Sequence, residues 1–134
     1  MVQSYNRPVP EETDSTAVPE PDFRAEAYLF VHEALAYAQQ MFKRPHHVTG
    51  QELCIGARQL ALERYGRLAK AVLNSWGIFT TDDLGRIVYR LIEAGAMSKT
   101  ETDRIEDFHS VYDFDEVFVR SYALGSSPRH DESV

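Results

Sequence analysis

At 134 residues, with 43% hydrophobic and 11% aromatic content, the chain is the size of one domain and carries enough apolar matter for a single core. Its net charge of -7 excludes a protein built to coat nucleic acid nonspecifically, because phosphate neutralisation needs clustered Lys and Arg. No apolar run approaches the ~20 residues that cross a bilayer, and the single cysteine, Cys54, cannot close an internal disulfide.

Residues 1–22 carry Pro8, Pro10, Pro19 and Pro21 among acidic and hydroxyl residues and a net charge of -4. Such a composition cannot offset its ordering entropy by burial, so a disordered acidic arm is expected. It also lacks the apolar stretch of a signal peptide, which makes the cytoplasm the expected location. From Phe23 the pattern changes. Phe23, Ala27, Phe30, Val31, Ala34, Leu35, Ala38 and Phe42 recur at three- and four-residue steps and predict an amphipathic helix, with Asp22 as N-cap and Pro45 closing the segment.

Thr49 and Glu52 have the spacing of a capping box and open a second helix, whose stripe is Leu53, Ala57, Leu60 and Ala61. Gly66 predicts a break near Tyr65. Leu68, Ala69, Val72, Leu73 and Trp76 resume the stripe as a third helix, with Gly77 placed to end it. Thr80 or Thr81 caps a fourth helix whose stripe is Leu84, Ile87, Val88, Leu91 and Ile92. Asp82 and Asp83 stand at the positive end of its dipole, and Gly95 ends it.

After a polar AMSKTETD stretch, Phe108, Ser110, Tyr112 and Phe114 alternate with Asp107, His109, Val111 and Asp113. Period two predicts a half-buried strand, which Met97 to Lys99 could join as a two-stranded β-hairpin. Asp113 and Glu116 offer a capping box for a short last helix through Val117, Phe118 and Tyr122. Residues 123–134 read as a disordered tail. The expected architecture is therefore mainly α: a winged-helix-like bundle of about five helices with a small two-stranded β-hairpin, forming one domain over residues 23–122.

Chemistry is harder to find. Asp82 and Asp83 are adjacent on a helix and point about 100° apart, so they suit dipole compensation better than a shared catalytic site. Glu101, Asp103, Glu106 and Asp107 lack the spacing and central glycine of a calcium loop. His46 and His47 lack two further ligands for zinc, and His32 and His109 stand alone. No serine lies in a GxSxG turn, and Cys54 falls on an apolar helix face where a packed thiol is common. An enzyme, a cofactor and a metal are thus not expected.

Two binding sets remain. The segment 96–122 carries net charge -4, whereas residues 23–95 carry +2. Asp103, Glu106, Asp107, Phe108, Tyr112 and Phe114 combine rings with a charged flank, the composition of a protein-binding face or a self-association surface. Arg86 and Arg90, one turn apart on the fourth helix, with Arg67 and Lys70 near Gly66, are the alternative: a nucleic-acid-binding set. Helix, turn GIFT and helix mimic a DNA-reading motif, though Asp82 and Asp83 would face phosphates there.

The phrases VTGQEL (Val48 to Leu53), YGRLAKAVLNSWGIFTTDDLG (Tyr65 to Gly85), IVYRLIEAGAMSKTETD, EDF and VYDFDEVF resemble a family of short uncharacterised proteins of planctomycete and verrucomicrobial bacteria, over about Phe23 to Phe118. That resemblance implies a bacterial cytoplasmic protein and carries no catalytic residue with it. LIEAGAMSKT more loosely resembles the passage from recognition helix to wing in winged-helix transcription factors. The expected function is a non-enzymatic protein-interaction or regulatory module using segment 102–122, the alternative a winged-helix DNA-binding regulator.

Overall fold

The computed structural model describes residues 2–4 and 23–120, and it is mainly helical. Helix α1 spans Ala25–Met41, α2 Gly50–Tyr65, α3 Ala69–Ser75 and α4 Thr81–Glu93. The tail from residue 123, and the acidic arm apart from Val2–Ser4, lie outside the described residues, as does Asp22, the expected first cap. The cap position of α1 belongs to Arg24, which makes no side-chain cap; its N–H donates instead to the carbonyl of Trp76 at 3.1 Å. That bond ties the start of α1 to the end of α3.

Helices α1 and α2 form the most extensive contact of the body, and they approach closely because small residues line the seam. A Cβ on Gly56 would meet Ala38 Cβ at 2.7 Å and the Ala38 backbone at 3.0 Å. Ala27, Ala34, Ala57 and Ala61 are buried in the same core with Phe30, Leu35 and Leu53. At the edge of the seam Tyr37 donates to Glu63 at 2.5 Å and Arg64 pairs with Glu33 at 2.6 Å.

The expected capping box is present: Thr49 Oγ1 accepts from Glu52 N–H at 3.0 Å, and Glu52 accepts from Thr49 N–H at 2.9 Å. Gly66 breaks the chain at φ 55°, ψ -129°, a backbone conformation that a Cβ would strain, and a 3-10 turn over Gly66–Leu68 leads into α3. Both α3 and α4 end in left-handed glycines. Ile78 N–H donates to Leu73 O beyond Gly77, and Ala96 N–H to Leu91 O beyond Gly95, which satisfies carbonyls the helices leave open.

The hairpin expectation is corrected. Met97–Lys99 is a strand, β2, but no second strand of the folded body joins it. Its antiparallel neighbour is β1, Val2–Ser4, in the register Val2↔Lys99, Gln3↔Ser98 and Ser4↔Met97. Phe108 to Phe114 is not a strand: Ile105–Phe108 is a 3-10 turn, Ser110 has φ 48°, and Asp115–Arg120 is a π-helix where a short last helix was expected. The alternation arose because Phe108 fills the core from the 3-10 turn and Phe114 from the start of the π-helical segment, with Tyr112 half-buried between them. The described residues hold four α-helices, two 3-10 turns and this π-helical segment, so the expected count of about five helices is not matched.

Candidate functional site

The first turn of α4 organises the surface around it. Thr80, not Thr81, is the N-cap: Asp83 N–H donates to its hydroxyl, and the Asp83 carboxylate accepts from Phe79 N–H at 2.8 Å and Thr80 N–H at 3.2 Å. Asp83 is buried by this work, and its other oxygen takes the guanidinium of Arg86. Thr81 is freed from capping and is fully buried. Its hydroxyl donates to Phe108 O at 2.7 Å and accepts from Val111 N–H at 3.1 Å, so one oxygen pins both ends of the 108–111 loop.

The segment after β2 is built by short-range carboxylate bonds. Asp103 closes a turn by accepting from Thr100 N–H at 2.8 Å, and Asp107 caps the 3-10 turn by accepting from Arg104 N–H at 3.1 Å. Phe108 then wedges between two glycines: a Cβ on Gly85 would meet it at 2.8 Å and one on Gly50 at 3.1 Å. Tyr112 donates from its hydroxyl to Cys54 O at 2.7 Å, and Arg58 lies 5.7 Å from its ring centre. Phe114 and Phe118 meet edge to face at 5.0 Å. Burial pushes the Tyr112 phenol well above its usual value, and burial followed by the charge of Asp82 pushes the Cys54 thiol far up. Both groups stay protonated and unreactive at neutral pH.

Of the residues expected to bind a protein, then, Phe108 and Phe114 are core, Tyr112 is half-buried, and Asp103 and Asp107 are occupied with backbone turns. Glu106 is exposed. It joins Asp82, Arg86, Ile105 and His109 around a shallow cleft of about 350 Å³ between α4 and the 3-10 turn. Ile105 is 42% exposed at this cleft, and His109 Nδ1 lies 3.3 Å from Asp82 Oδ1. The arrangement offers an apolar contact flanked by two carboxylates, one cation and one titratable ring. With its imidazole 71% exposed, the acid–histidine pair holds no desolvated geometry for proton transfer.

The expected nucleic-acid set is dispersed among other partners. Arg86 engages Asp83; Arg90 donates to the Tyr28 hydroxyl at 2.8 Å and lies 5.1 Å from the Phe23 ring centre; Lys70 pairs with Asp115 at 2.9 Å. Arg67 is exposed on the 3-10 turn before α3. Among the described residues, no three His, Cys, Asp or Glu side chains come together as metal ligands, and no helix is long and apolar enough to cross a membrane.

Sequence reasoning missed two features of this surface. Thr81 was weighed only as a cap, and His109 only as a lone histidine, because their partners lie 30 and 27 residues away. No local spacing records either contact. No family model, curated protein or solved structure matches this chain.

Proposed function

We propose that the protein is a non-enzymatic protein-interaction or regulatory module whose contact face is the rim of segment 102–122, centred on Ile105. One observation carries this: an exposed isoleucine within a ring of Asp82, Arg86, Glu106 and His109, on a turn held from beneath by buried Phe108. Apolar centre with charged rim is the anatomy of a binding face, and here the turn that carries it is fixed by the Asp107 cap and the bond from Thr81 to Phe108 O. The buried rings position the face and do not themselves touch the partner. We place the module in the bacterial cytoplasm, in keeping with the family its sequence phrases resemble.

A photo-crosslinking residue at position 105 tests the idea in cells. The expected result is a discrete adduct at Ile105 that Glu106→Lys weakens, and no such adduct from the more exposed Leu29 on α1. Identical labelling at both positions, or none at Ile105, overturns it. The alternative DNA-binding regulator needs Arg86, Arg90, Arg67 and Lys70 to face phosphate together. Three of the four are engaged by Asp83, Tyr28 and Asp115, which supports the protein-binding reading over it.

A further inference from the structure

Ile105 stands between charges of opposite sign. Arg104 precedes it in extended backbone, φ -136°, ψ 152°, as the cap of the 3-10 turn, and Glu106 follows it on the turn. All three residues are exposed. Among the described residues no ion pair engages either Arg104 or Glu106. The other exposed large apolar side chains among the described residues are Leu29, Met41, Leu68, Phe79 and Val119, and none of them has an acid on one side and a base on the other.

A run of cation, isoleucine and anion is complementary to itself. Two copies related by a twofold axis at Ile105 bring residue 104 of one against residue 106 of the other, twice, and set the two isoleucines together. Each isoleucine leaves solvent, and each cation meets an acid that its own chain does not occupy. Mixed sign also decides against other occupants. A uniformly basic tract would gain Asp82 and Glu106 but meet Arg86 and Arg104, and a uniformly acidic tract would meet the reverse. A second copy presents both signs in the matching order.

We propose that the Ile105 face is the contact of a reversible, twofold homodimer, in which Arg104 of each chain pairs with Glu106 of the other around the two apposed Ile105 side chains. The inference rests on the Ile105 face being a binding surface, and it names the partner as a second copy of this chain. The cleft beside Ile105, walled by Asp82, Arg86 and His109, gives the second isoleucine a hollow to enter. A patch built on three residues and one shallow cleft is small beside the roughly 800 Å² per partner of a stable complex, so the pair is reversible and salt-sensitive.

The test is sedimentation equilibrium on the full-length protein, from micromolar to near-millimolar concentration. The weight-average mass should rise from one chain toward two, and rise less as salt is added. Arg104→Glu and Glu106→Arg should each weaken association about tenfold, because two attractive pairs become two repulsive ones. An equimolar mixture of the two variants should associate again, since each supplies the sign the other lacks. The double variant, Arg104→Glu with Glu106→Arg, should associate as the unaltered chain does. Recovery on mixing is a result that neither misfolding nor a contact elsewhere on the molecule produces. A chain that stays monomeric throughout, single variants that associate as well as the unaltered chain, or a mixture no better than its components each overturns the homodimer. The crosslink from position 105 separates that failure from failure of the face. An adduct of twice the chain's mass supports the dimer, an adduct of any other mass overturns the dimer and keeps the face, and the absence of an adduct removes both.

Discussion

The α1–α2 seam and the segment from Thr100 to Phe118 hold the same core together by opposite means. In the seam, two regular helices meet through alanines and Gly56, so the backbones are close and little side-chain freedom is lost on packing. The later segment has almost no regular structure. It is fastened by side chain to backbone bonds from Asp103, Asp107, Thr81 and Tyr112, and by three phenylalanines inserted one at a time. The seam is held by a repeating pattern, the segment by bonds made turn by turn.

The largest effect expected from breaking this contrast is at Phe108. Phe108→Ala removes the ring that fills the space over Gly50 and Gly85, and should cost about 3–5 kcal/mol in chemical denaturation. Amide exchange in that variant should quicken across residues 100–118 before it does in α1 and α2. Equal loosening everywhere would show that the two regions are one cooperative unit.

A smaller effect separates the two kinds of close approach. Gly56→Ala drives a Cβ into the backbone of a facing helix, and overpacking of that sort costs about 1–3 kcal/mol despite the better helix propensity of Ala. Gly85→Ala meets only the base of the Phe108 side chain, carried on a turn. The denaturation midpoint should therefore fall further for Gly56→Ala, while Gly85→Ala should disturb mainly the chemical shifts of 105–111.

The smallest effect is electrostatic and lies at the seam's edge. Burial, then the hydrogen bond to Glu63, raises the Tyr37 phenol from 10.0 to about 12. A folded value above the unfolded one gives stability that is complete below pH 10 and is lost as pH rises through the folded value. The stability gap between the unaltered chain and Tyr37→Phe should narrow across that window in a pH series of melting curves. A constant gap would mean that folding does not raise the Tyr37 phenol.

These differences also explain what could be read from residue order. The four helices, the Thr49–Glu52 box, the break at Gly66 and the stop at Gly77 are written in three- and four-residue spacing or in single glycines, and all are present. The stretch 107–114 misled because alternating rings are common to a half-buried strand and to a string of turns that each drop one ring inward. Nothing local distinguishes them; the difference lies in Thr81, Gly50 and Gly85, far away in the chain. The cleft was legible only as composition. Glu106 was singled out for its charge, whereas Ile105 and the Asp82–His109 pair appear only when α4 and the 3-10 turn are brought side by side.

The twofold bond of Thr81 has a consequence for how helix and loop are joined. Its hydroxyl holds the loop only while the first turn of α4 aims it, so the placing of Phe108 and the first turn of α4 depend on the same oxygen. Loss of that turn would release both bonds together, and the surface then uncovered at Gly50 and Gly85 is the bed of the Phe108 ring.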